Sequence, residues 1–181
     1  WVIVMVREYQ RKHDGEIGDW CVYDERLGLV SGINTDVPVI LSEDQSDDRE
    51  DGESYVRMME STAEYLGSLS ELERKRSEAG LFMADYVAET VVEQCGAFLD
   101  MGDGNYLYST FRDRVNDVKE LSQKEKSDYI QENALMMKDY IYPAYQKLIS
   151  AVAGRLGTGA NEKGLCVLQT GREIYGCETK P

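Results

Sequence analysis

The chain has 181 residues, 42% of them apolar, and carries 34 acidic against 20 basic side chains, a formal net charge of −14. That length suits one domain with its own core, and that apolar content is too high for a disordered chain. The acidic excess argues against a nucleic-acid surface, which needs clustered positive charge to displace counterions, and against docking on anionic lipid. No apolar run approaches the roughly 20 residues that span a bilayer.

Trp1-Val-Ile-Val-Met-Val6 is too short for a signal-peptide core and has no basic residues ahead of it. It reads as a buried strand or as the first turns of a helix, with Val2 to Gln10 as the candidate helix. A loop follows through His13-Asp-Gly15 and Gly18-Asp19. Trp20 to Gly28 and Gly32 to Leu41 place turn residues between short apolar runs, which predicts loop with one short strand pair.

Residues 43 to 53 hold seven acidic side chains in eleven positions, a solvated loop or the start of a helix. A calcium loop beginning at Asp47 would need a ligand where Arg49 stands and a carboxylate where Met58 stands. Only Asp51-Gly52 fits that template.

From Gly52 the helical period takes over. Tyr55, Met58, Met59, Thr62, Tyr65, Leu66, Leu69 and Leu72 recur at three and four, giving one apolar face that ends at Gly80. Leu81 to Leu99 makes a second amphipathic helix, stopped by Gly102 and Gly104. Asp100-Met-Gly-Asp-Gly-Asn105 reads as a helix-terminating turn. Asn105 to Val118 is a third helix. Ser122-Gln-Lys-Glu125 is a capping box, and behind it an apolar period runs to Val152 without a glycine. Pro143 interrupts that period and predicts a kink or break near Ile141. Gly154, Gly157 and Gly159 close the helix, and Asn161 to Pro181 reads as a hairpin or irregular loop.

Chemical motifs are sparse. His13 is the only histidine, so a His-Glu-x-x-His zinc site cannot form, and a Ser-His-Asp triad would have to use a loop histidine. Gly154-Arg-Leu-Gly157-Thr-Gly159 lacks the Gly-Lys-Ser/Thr ending of a phosphate loop and follows a helix, not a strand. Cys21, Cys95, Cys166 and Cys177 form no Cys-x-x-Cys pair and read as free thiols; Cys166 and Cys177 are close enough to bridge in an oxidising compartment. The 12 tyrosines outnumber three Phe and two Trp. Tyr55, Tyr65, Tyr86, Tyr129, Tyr140 and Tyr145 lie on the helical faces, which suits core packing with hydroxyls at the rim, or else a substrate groove.

Several of these segments occur together in one family. Tyr23-Asp-Glu25, Gly32, Val37-Pro-Val39-Ile-Leu41, Gly80-Leu-Phe-Met-Ala-Asp85 and Val92-Glu-Gln-Cys-Gly-Ala-Phe98 follow one another in its order. Asn105-Tyr-Leu107 with Phe111, Tyr142-Pro-Ala-Tyr145 with Leu148, and Gly164-Leu-Cys166 with Gly171-Arg-Glu173 continue it. In that order and spacing the chain resembles the N-terminal part of the bacterial "domain of unknown function 885" family, above all its clostridial members, over roughly residues 20 to 175. The resemblance implies a larger, mainly helical protein, often exported or lipid-anchored, of zinc-metallopeptidase type. The family's zinc signature, a His-Glu pair followed by Pro-Gly-His, lies downstream of the matched segment and has no counterpart here. Two stretches depart from the pattern. Ser42-Glu43-Asp44-Gln45 and the acidic run replace an aromatic-rich start of a helix, and Ile174 to Pro181 stops matching where the family continues into another helix.

The expectation is therefore an all-α fold of about four main helices in an irregular bundle, the longest kinked near Pro143. As one domain it comprises an irregular segment 1–52, a helical region 53–156 and a glycine-rich irregular tail 157–181 that looks truncated. No catalytic, cofactor-binding or metal-binding residue is assigned, and zinc is expected only in full-length relatives. The function expected is a scaffold of a metallopeptidase-like protein, inactive alone; the alternative is a non-catalytic helical module binding peptide or protein. Its partners would be a peptide or its own missing C-terminal part, with homo-oligomerisation as a further expectation. The resemblance implies an extracytoplasmic or cell-surface location.

Overall fold

Ser122 starts its helix in the manner the sequence predicts. Its hydroxyl accepts from the Glu125 N–H at 3.3 Å while the Glu125 carboxylate accepts from the Ser122 N–H at 2.9 Å, so two donors at the helix start are satisfied reciprocally. The structure is a computed structural model that describes residues 25–43 and 49–159, with residues 49–54 and 56 as backbone alone. Its fold is all-α, and no strand occurs among the described residues. In chain order come α1 (Ile33–Glu43), α2 (Arg49–Glu78), α3 (Asp85–Asp100), a 3-10 turn (Gly102–Gly104), α4 (Tyr106–Asp117) and α5 (Gln123–Met136). A π-helical turn (Met137–Ile141) then leads into α6 (Tyr142–Ala153).

Helix α6 lies at the centre, packed against α2 on one side and α3 on the other. Its inward positions Ala144, Tyr145, Leu148 and Val152 recur at three and four and are buried. The predicted α2 face is the face that packs: Tyr55, Met59, Leu66 and Leu69 are buried, with Met58, Tyr65 and Leu72 at its margin. Each fully buried leucine of this kind contributes about 2 kcal/mol. Tyr55 stacks on Phe111 with centroids 4.5 Å apart, and its hydroxyl donates to Asn133 Oδ1 at 3.3 Å. Phe98 packs on Tyr145 at 4.7 Å. Helix α4 lies on α5 and α1, and α1 also touches α3.

The interval Gly32 to Leu41, expected as loop with a short strand pair, is instead helix α1. Its β-branched residues and internal Pro38 concealed a helical period of Asn34, Val37, Pro38 and Leu41, all buried. Tertiary packing of that stripe outweighs the local propensity. Helix α2 likewise begins at Arg49, within the acidic run.

The break expected near Ile141 is present, and it takes the form of the π turn. Pro143 has no N–H to donate, and inside a continuous α-helix its ring would meet the carbonyl four residues earlier. The Tyr142 N–H reaches back to the Met137 carbonyl, so the ladder widens just ahead of the proline. Pro143 then sits in the first turn of α6, where a missing donor costs little.

The glycine-rich turns behave as predicted. Gly102 adopts φ +48° to end α3, and Gly157 adopts φ +84° in the turn after α6. Asn105 is buried and serves both helices at its corner: its side chain accepts from the Leu107 N–H at 3.0 Å and donates to the Phe98 carbonyl at 3.2 Å. No described helix is long and apolar enough to cross a membrane. The candidate helix Val2 to Gln10, His13, Cys21, Cys166, Cys177 and the segment Asn161 to Pro181 lie outside the described residues.

Candidate functional site: a groove beside the π turn

Five segments converge on one groove of about 680 Å³, lined by Asp103, Tyr108, Gln131, Ala134, Leu135, Lys138 and Tyr142. Asp103 comes from the 3-10 turn and Tyr108 from the first turns of α4. Gln131, Ala134 and Leu135 form a stripe on α5, which Lys138 in the π turn and Tyr142 at the start of α6 continue. Tyr142 is anchored from both ends of its side chain. Its hydroxyl donates to the Gly102 carbonyl at 2.8 Å, and its ring and that of Phe98 pack edge to face with centroids 6.1 Å apart. Burial pushes this hydroxyl well above the ordinary phenol value, and neighbouring Tyr108 pushes it further. Tyr142 is therefore a neutral hydrogen-bonding group at any physiological pH.

The groove combines two phenol rings, an apolar wall from Ala134 and Leu135 (the latter 57% exposed), one amide, one ammonium and one carboxylate. Such a lining offers ring contact and hydrogen bonds. Among the described residues no group of three or more His, Cys, Asp or Glu side chains could hold a metal ion. No chemical step is assigned to zinc at these residues.

The tyrosine faces resolve into separate roles. Tyr55 and Tyr145 are core residues whose hydroxyls bond inside the protein, not at its rim. Tyr65 accepts from Arg26 at 3.3 Å. Tyr86 and Tyr140, placed on helical faces by their spacing, are exposed. The groove tyrosines, Tyr108 and Tyr142, stood outside that set. In the sequence only their neighbours, the turn at Gly102 and the proline at 143, mark the region, and neither singles out a tyrosine. Gly154 to Gly159 forms a helix-ending turn, tied down by the Gly157 N–H donating to Asp85 Oδ1 at 2.9 Å. Cys95 is buried in the core, and burial pushes its thiol up to about 12.

A second cluster was not legible from residue type. Glu73 and Arg76 are 0% and 2% exposed at the end of α2, with Arg76 Nη1 3.7 Å from Glu73 Oε1. Arg76 also donates to the Leu81 carbonyl at 3.2 Å and pairs with Glu25 at 3.3 Å. Neither Glu73 oxygen accepts a hydrogen bond.

Residues 3–180 match the family described as "Bacterial protein of unknown function (DUF885)". The chain belongs to that family. Among solved structures, this DUF885 chain is similar to the "putative lipoprotein from Colwellia psychrerythraea", with 17% identity and a TM-score of 0.76 over 83% of its length. At that identity the likeness is one of fold. The match covers 26% of the Colwellia protein, so this chain spans about a quarter of that structure. No curated protein matches the DUF885 chain.

Proposed function

We propose that this DUF885 chain is the helical scaffold region of a larger, extracytoplasmic metallopeptidase-like protein, with the Tyr108–Tyr142 groove as one wall of a peptide cleft and no peptidase activity of its own. The observation that carries the reading is the coverage: the fold is shared with a protein of which this chain matches 26%. The family resemblance supplies the zinc-peptidase chemistry, which would rest on groups outside the described residues. Within the groove, the Gln131 amide and the Tyr108 hydroxyl suit a peptide backbone, while Leu135 and the two rings suit its apolar side chains.

The groove also supports a second reading, a non-catalytic peptide-binding module, because binding there requires no reacting group. One pair of measurements separates them. Fluorescent peptide libraries are titrated onto this chain and onto Leu135→Asp, and peptidase activity and zinc content are measured for this chain and for the complete natural gene product. Groove-dependent binding here, with zinc and hydrolysis only in the complete product, supports the first reading. Binding with neither zinc nor hydrolysis in either supports the second. Stoichiometric zinc in this chain would sink both.

A further inference from the structure

The stripe that buries Leu66 and Leu69 continues, at the same three-and-four spacing, through Glu73 and Arg76. A carboxylate at such a position is normally saturated with hydrogen bonds, since a buried anion without donors is strongly disfavoured. Glu73 has none, and its nearest cation stands at 3.7 Å, beyond hydrogen-bonding reach. Arg76 is meanwhile engaged elsewhere. It donates to the Leu81 carbonyl beyond the Gly80 turn and to half-exposed Glu25, 51 residues away. Glu25 adjoins Arg26, whose carbonyl accepts from the Ile33 N–H at 2.8 Å and whose guanidinium donates to Tyr65. One guanidinium thus joins the end of α2, the corner leading to α3 and the segment ahead of α1.

We propose that Glu73 and Arg76 form a proton-dependent latch that fastens the segment ahead of α1 to the α2–α3 corner. Ionised Glu73 competes with Glu25 for the single Arg76 charge. Once Glu73 takes up a proton, that competition ends and Arg76 keeps its bonds to Glu25 and Leu81 without a rival at Glu73. The charged groups bearing on Glu73 are Arg76 on its own helix, Glu25 ahead of α1 and Arg155 after α6. Burial, the largest influence, raises Glu73 above its ordinary 4.5, outweighing the opposing pull of Arg76. Between 4.5 and that raised value, the folded chain holds a proton that the unfolded chain has lost. The stabilisation from this group is complete below 4.5 and disappears as the pH rises through the raised native value.

The test compares this chain with Glu73→Gln by urea unfolding and by amide hydrogen exchange at Ile33, from about pH 5 to about pH 8. The other acidic groups impose a general pH slope on both proteins, so the difference between them is what counts. One proton can change the folding equilibrium constant by at most about tenfold per pH unit. The wild type should lose stability relative to Glu73→Gln up to that limit as the pH rises, and its Ile33 protection should fall in step. Parallel profiles in both measurements would overturn the latch. Should Glu73→Gln fail to fold, the wild type labelled with 13C at its glutamate carboxyls decides the matter. A carboxyl titrating well above 4.5 together with Ile33 protection upholds the latch, and the absence of one overturns it.

Discussion

The Tyr145 hydroxyl donates to the Asn34 carbonyl at 3.3 Å, across 111 residues of sequence. In an unbroken helix that carbonyl would accept from the N–H four residues on, but residue 38 is proline and has none. The central helix thus supplies the donor that α1 lacks, deep in the core, where an unmet carbonyl is costly.

Tyr145→Phe is accordingly expected to destabilise by about 1–2 kcal/mol in urea unfolding, because it orphans a buried acceptor. A Pro38→Ala background restores a backbone N–H that can serve the Asn34 carbonyl, and there the penalty of Tyr145→Phe should shrink to roughly a few tenths of a kcal/mol. An undiminished penalty would mean that the hydroxyl serves packing and not the proline's missing bond.

The side chain of Asn34 does separate work. Its Oδ1 accepts from the Gly28 N–H, and its amide donates to the Gly28 carbonyl and, at 2.7 Å, to Gln94. Gln94 in turn donates to the Leu29 carbonyl. Asn34→Ala leaves the half-buried N–H and carbonyl of Gly28 without this partner and should cost about 2 kcal/mol, with Gln94→Ala costing less. Calorimetric Tm values rank the two, and the reverse order would refute this account.

These contacts mark the border of what the residues disclose. The α2 face, the Ser122 box and the Gly102 turn were all legible, because period, cap and positive φ each leave a local signature. Helix α1 was not, since Pro38 and its branched neighbours mimic a strand, and its support comes from Tyr145 far along the chain. Glu73 and Arg76 occupied legible positions, continuing the stripe of Leu66 and Leu69, yet their charge disguised their burial. The groove assembles from five segments, so no single stretch of sequence could show it.

Cys95 offers a pH test. Its thiol rises from 9.0 to about 12 through burial, so its contribution to stability is intact below 9.0 and is lost as the pH climbs through 12. At mildly alkaline pH the native Cys95 should resist alkylation, and it should react once urea unfolds the chain. Peptide mapping by mass spectrometry locates the label. Rapid native labelling of Cys95 would show that the α3–α6 interface opens readily.

Pro143 links the fold to the groove. If the proline is what imposes the π turn, Pro143→Ala supplies a donor for the residue 139 carbonyl, and Met137–Ile141 can return to α-helical spacing. Stability should change by far less than the roughly 3 kcal/mol of a proline inside a helix, because Pro143 already sits in the first turn of α6. The groove should change more. A return of the π turn to α-helical spacing rotates Lys138 relative to Tyr142, and the hydrogen bond from Tyr142 to Gly102 must stretch or break. NMR contacts between Tyr142 and the Gly102 turn would weaken, and any peptide affinity of the groove would fall while Tm held steady. A variant that keeps both the π turn and those contacts would show that packing of α2 and α5 around Met137 and Ile141, and not the proline, holds the turn open.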